Sequence, residues 1–298
     1  MTKAPDGFIE QRRIKFGGEL TTWPRLKRAH AFSLLMELDR RIAVWSARGL
    51  IVTVPQIEAD GMRVNFHLQV DEQPPLDEWS LIFADVVHAL RSSLDALAWE
   101  IASLDGNTPS KPNQVYFPIA GAGFDAKIAA MGEKLDPQFV ERFRILQAPT
   151  FRLPNQEDGV DVLAALHQLD IDDKHRGALR ATGVIGAANL QASVFLDAET
   201  VVGMQQVEGD IPLETGYQVG RMNVSKPARL EKTIPTPAAV ALTIRGAVGG
   251  KEFTLPLSAF TQVVFAAVDR AVHIMTQGEP QEGFYAAAPI DVETFPPA

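Results

Sequence analysis

A chain of 298 residues with 46% hydrophobic and 22% charged side chains has the balance of a globular protein with room for a large core. A formal net charge of −9 without a long basic run argues against double-stranded DNA or an anionic membrane as partner, and the lack of cysteine excludes disulfides, thiolate zinc sites and a cysteine nucleophile. The N-terminus has no signal-peptide pattern and no run reaches about 18 apolar residues, so the expectation is a soluble, cytoplasmic protein without a membrane span.

Residues 1–22 read as an N-terminal arm. Thr22-Trp23-Pro24 opens a helix that runs to about Arg48 and stops at Gly49. Ala31, Leu34, Leu35, Leu38, Ile42 and Trp45 repeat at three- and four-residue steps along it. Its arginines and Lys27 read as a solvated face, with a groove for an anion as the alternative. The stretches 50–57 and 62–70 are β-branched and aromatic and flank the turn Glu58-Ala-Asp-Gly61, which predicts a hairpin. In the second strand Val64, Phe66, Leu68 and Val70 face inward and Arg63, Asn65, His67 and Gln69 outward.

The stretch 76–104 predicts the central helix. Trp79, Phe83, Val86, Leu90, Leu94, Leu97 and Ile101 form one narrow stripe. Opposite lie Asp85, His88, Arg91, Ser92 and Asp95 beside Leu81 and Trp99, with no Lys or Glu between Trp79 and Trp99. That composition predicts a helix covered on both sides, with buried polar groups that need partners. Val115-Tyr-Phe-Pro-Ile reads as a short extended passage at an edge or the surface, and 123–134 and 136–147 as two short helices. A further helix begins near Asp158 or Asp161 and leads into 167–176, where seven ionisable groups fall in ten residues. Beyond 181 the pattern turns to strands at 190–197, 200–209, 228–234, 239–246 and 251–258, before a last helix at 258–277.

These elements imply an α+β fold. A helical core over 23–180, built around the helix at about 76–104, carries the antiparallel hairpin at 50–70. A β-rich segment over 181–257 precedes a C-terminal helix over 258–277 that rejoins the core, and 278–298 form a flexible tail.

No phosphate-binding loop, dinucleotide fingerprint, HExxH or GxSxG is present. The residues that could carry chemistry lie in two polar stretches. His88, Arg91, His167, His175 and Arg176 are the candidate catalytic residues, and Ser92, Asp95, Asp173 and Lys174 support them. Three readings follow. In the first the cluster is a structural network, with Asp95 or Asp173 paired to Arg91 or Arg176. In the second a histidine moves a proton on a ribose hydroxyl while an arginine or lysine stabilises a phosphorane, with no cofactor. In the third His88, Asp95, His167, Asp173 and His175 hold a divalent metal, as in a metal-dependent hydrolase.

The runs His88-Ala-Leu-Arg-Ser-Ser-Leu-Asp95, Phe117-Pro-Ile119 and Leu166-His-Gln-Leu169 leading to Asp173-Lys-His-Arg176 resemble a group of bacterial and phage-borne proteins that share LHxLRSxLDxL, FPI and LHxLxxxDKHR motifs. That group is in turn faintly similar to the HEPN proteins, helical-bundle ribonucleases of toxin–antitoxin and antiviral systems. The resemblance implies a protein of a defence or mobile-element context that acts on RNA and can form homodimers. HEPN proteins place a histidine four to six residues after the motif arginine. Here Ala96 occupies the histidine position that the group carries, so the resemblance implies either that this chain has lost that chemistry or that His88, His167 or His175 serves in its place. The alternative is a non-catalytic binding or scaffold protein.

Overall fold

The structure, a computed structural model, describes residues 22–104, 107–119, 123–147, 161–172, 179–184, 201–207, 211–228 and 235–278. Among them are six α-helices and eight strands, so the fold is α+β. The expected arm at 1–21, the strands at 190–197 and 229–234 and the tail beyond Gly278 lie outside these residues. The chain divides into two units. One comprises Met1–Met36, Ser80–Ala178 and Ile244–Ala298, and the other Glu37–Trp79 and Leu179–Thr243.

The second unit holds an antiparallel sheet. Strands β1 (Ile51–Ile57) and β2 (Arg63–Val70) form the expected hairpin, and Gly61 supplies the left-handed residue of its turn at φ 71°. Alternation places Val64, Phe66 and Leu68 inside and Arg63 outside. The hairpin does not stand alone beside the helices. It takes sheet partners from the later β-rich segment, β4 (Val201–Gln206), β5 (Gln218–Val224) and β6 (Thr236–Pro237), in the order β4-β5-β2-β1-β6. Asn65 ties the centre of this sheet, accepting from Arg221 Nε at 3.0 Å and donating to Glu58 at 3.0 Å. Buried Trp45 and Trp79 meet edge to face at 5.7 Å in the same unit.

The first unit is mainly helical. It takes in the first part of α1 (Thr22–Ser46) and most of α2 (Leu76–Ala102). It also holds α3 (Phe124–Ala130), α4 (Pro137–Ile145), α5 (Val162–Asp172) and α6 (Leu257–Gln277). The stripe of α2 is buried as its spacing predicts, from Phe83 through Leu90, Leu94 and Leu97 to Ile101. Phe83 packs edge-on against Phe260 of α6, which in turn stacks on Phe253 of strand β8 (Lys251–Pro256). Strand β7 (Ala239–Val248) meets β8 through Gly249-Gly250, both at positive φ, as a two-residue hairpin turn demands. Strand β3, at Leu179–Val184, belongs to the second unit. Among the described helices only α6 is long and apolar enough to cross a membrane, and 61% of that apolar stretch is buried inside the protein.

Two helix starts are sealed by carboxylates. Asp136 accepts from Gln138 N–H at the head of α4, and Asp161 accepts from the N–H groups of Leu163 and Ala164 at the head of α5. Asn107 closes the other end of α2, donating to the Ala102 and Met131 carbonyls while accepting from Lys134 N–H. Gly132 sits so close to Asn107, at φ 107°, that no side chain fits there.

The first turn of α1 is fastened to α2. Ser93 donates to the Pro24 carbonyl at 2.7 Å, and Glu100 accepts from Trp23 N–H at 3.2 Å. Burial pushes the Glu100 carboxyl up to about 7, outweighing the Trp23 bond that favours its charged form. In the unfolded chain the group titrates near 4.5, so only the folded protein holds the proton between these values. The stability from this group is therefore complete below about pH 4.5 and is lost as pH rises through about 7. Glu100→Gln keeps an acceptor for Trp23 and cannot ionise. Urea unfolding should show it about 1–2 kcal/mol more stable than wild type at pH 8, after discounting for solvent screening, and nearly unchanged at pH 4.

Candidate functional site

The polar residues of α2 fall on two neighbouring faces with different surroundings. Residues four apart on a helix share a face, which couples Arg91 to Asp95 and His88 to Ser92. The first pair turns inward and the second outward.

Arg91 is almost wholly buried. Its Nη2 donates to Asp95 Oδ1 at 2.8 Å and to the Phe117 carbonyl at 3.1 Å. Asp95 Oδ1 also accepts from Phe117 N–H at 2.8 Å. One ion pair thus grips both backbone groups of Phe117, whose ring is fully buried and packs edge-on to Phe143 of α4 at 5.3 Å. The segment 115–119 forms no strand and does not run over the surface as expected. Val115, Phe117, Pro118 and Ile119 are buried and Tyr116 is exposed. A buried segment without a sheet partner must bond its backbone to side chains, and Arg91 and Asp95 supply such bonds at Phe117 while Gln147 Nε2 donates to the Pro118 carbonyl at 2.8 Å. Burial lowers the Arg91 pKa and raises that of Asp95, more than their mutual attraction corrects. The pair fixes where Phe117 sits, and Arg91 is joined to Asp95, one of the pairings expected of a structural network.

His88 is the opposite case, with a side chain 71% exposed. Its Nδ1 meets Asp170 Oδ1 of α5 at 3.0 Å, and its Nε2 faces Ser92 Oγ at 3.4 Å. A carboxylate only accepts, so in the neutral ring Nδ1 carries the proton and Nε2 is left as the acceptor for the Ser92 hydroxyl. Leu81 and Trp99 are exposed as well, so α2 is not covered on both sides. Its lack of Lys and Glu there does not reflect burial.

His167 and Asp170 lie three residues apart on α5. His167 is half-buried, and its Nδ1 has no hydrogen-bond partner among the described residues. Burial lowers its pKa, Arg91 and Lys127 lower it further, and Asp170 opposes them. Lys127 of α3 is likewise lowered by burial and by Arg91, against the pull of Asp95. His88, Arg91, Ser92, Asp95, Lys127, His167 and Asp170 thus form one electrostatically connected patch. Of these, Lys127 and Asp170 were not singled out as site residues by sequence. The signals for Asp170 are its three-residue spacing from His167 and its place in the ionisable run 167–176. Asp173, Lys174, His175 and Arg176 lie outside the described residues. Among the described residues no group of three or more histidines and carboxylates could hold a metal ion.

No protein-family model, no curated protein and no solved structure matches the chain.

Removing the Arg91 side chain leaves a buried Asp95 and the Phe117 carbonyl without their partner. Arg91→Ala should destabilise by about 3–5 kcal/mol. Asp95→Asn keeps an oxygen for Phe117 N–H but leaves the buried Arg91 charge without its counter-ion, and should likewise cost about 3–5 kcal/mol. Chemical denaturation of the two variants and their double mutant should show strong non-additivity, because the three groups form one unit.

Proposed function

We propose that the protein is a metal-independent acid–base enzyme in which His88 moves the proton. The observation that carries this reading is the exposed His88 ring anchored through Nδ1 to Asp170, which leaves Nε2 open as a base. RNA is the substrate class that the motif resemblance implies, with the ribose 2′-hydroxyl as the group deprotonated. The arginine of that motif does not serve the phosphate here, since Arg91 is bound to Asp95 and Phe117. Among the described residues, Lys127, whose charge acts on His167, is assigned this role.

A second reading, a non-catalytic binding or scaffold protein, draws support from the Arg91–Asp95 grip on Phe117. The two readings separate at His88. An exposed His–Asp contact contributes at most about 1 kcal/mol to stability. Under the enzymatic reading, His88→Ala should lower cleavage of an unstructured RNA at least about 100-fold and leave the melting temperature nearly unchanged. The assay runs in EDTA, and 2′,3′-cyclic phosphate ends mark attack by the ribose hydroxyl. Unaltered cleavage in His88→Ala sinks the proposal. Cleavage abolished by EDTA in the wild type points instead to a metal.

A further inference from the structure

The base at His88 already faces a hydroxyl of its own helix. Ser92 Oγ, His88 Nε2, His88 Nδ1 and Asp170 Oδ1 follow one another at 3.4 Å and 3.0 Å across the ring. This is the order of nucleophile, base and orienting carboxylate in acyl-transfer enzymes, with the ring in the tautomer that the chemistry needs. A resting nucleophile–base contact is often long and tightens when substrate binds. The four-residue spacing lets the helix pitch hold Ser92 beside His88, with no loop needed to bring them together. Arg91 and Asp95 anchor the same two turns of α2 from behind. The open position of His88 and the partial exposure of Ser92 let a substrate reach both.

We infer that Ser92 is a covalent nucleophile, and that the patch transfers acyl groups from small activated esters, aryl esters or thioesters, to water. This rests on reading His88 as a base and changes the hydroxyl that the base serves. Ser92 Oγ adds to the acyl carbon as its proton passes to His88 Nε2, while Asp170 holds the Nδ1 proton. The tetrahedral intermediate collapses and expels the alcohol or thiol, which takes the proton from Nε2. Water then attacks the acyl-serine with His88 again as base, releasing the acid and restoring the Ser92 hydroxyl. Backbone N–H groups in the middle of a helix are bonded to carbonyls one turn back, so α2 offers no backbone oxyanion hole at Ser92. In this proposal Lys127 offsets the developing negative charge. Weak oxyanion support restricts the substrate to esters whose leaving group is already good.

A fluorophosphonate probe tests this directly on the full chain, with intact mass and peptide mapping as readout and release of nitrophenol from p-nitrophenyl acetate as the turnover assay. The expected result is one phosphonyl group per chain, on Ser92. His88→Ala should slow labelling at least about 100-fold, and Asp170→Asn at least about tenfold. Ser92→Ala should take no label at that peptide and lose the ester turnover that depends on His88. No label on Ser92 in the wild type overturns the inference, as does labelling of His88→Ala at the wild-type rate. RNA cleavage that depends on His88, with no label on Ser92, overturns the inference and leaves the acid–base reading in place. His88→Ala with both labelling and RNA cleavage unaltered overturns both.

Discussion

A guanidinium inside a fold stays charged, because arginine does not release its proton in proteins, and so its neighbours must be built to suit it. Arg91 imposes that requirement at the middle of α2. Its answer is a carboxylate one turn along the helix and a backbone carbonyl from residue 117. The same carboxylate reaches back to the N–H of residue 117, so the stretch 115–119 is seated without belonging to any sheet. Phe117 in turn brings Phe143 and α4 against the same region. One buried ion pair seats residue 117, and Gln147 seats the Pro118 carbonyl next to it.

This explains why an arginine, an aspartate and a phenylalanine-proline-isoleucine run occur together in the chain. They are parts of one contact. It also changes what the arginine can do. A guanidinium buried this deeply is out of a phosphate's reach, and the exposed polar groups lie one face round the helix, at His88 and Ser92, with Asp170 of α5 beside them.

Much of the fold was legible because periodicity reports burial. The α2 stripe, the alternation in β2 and the apolar face of α6 all lie where their spacing put them. Strand β5 was not legible. Its sequence, with Gly220 and two central polar residues, Arg221 and Asn223, is weakly strand-like by itself, and pairing with β2 on one side and β4 on the other makes it a strand. At the site, the pairing of Arg91 with Asp95 was readable from helical spacing. The outward turn of His88 was not, because it depends on how α5 lies against α2. For the same reason sequence favoured Asp95 and Asp173 as carboxylates and missed Asp170, whose role exists only across that contact.

The division of the chain has a consequence for how the protein is made. The helical unit begins with α1, resumes with α2 and is completed only by α6, which follows every strand described. On the ribosome, α2 and α5 therefore emerge long before the helix that covers Phe83. Their apolar faces stay open until residue 257 and beyond have left the exit tunnel. The sheet unit is interrupted in the same way between residues 79 and 179. The sheet unit has all its residues once Thr243 is out, whereas the helical unit waits for α6, so the apolar stripe of α2 is the face left open longest.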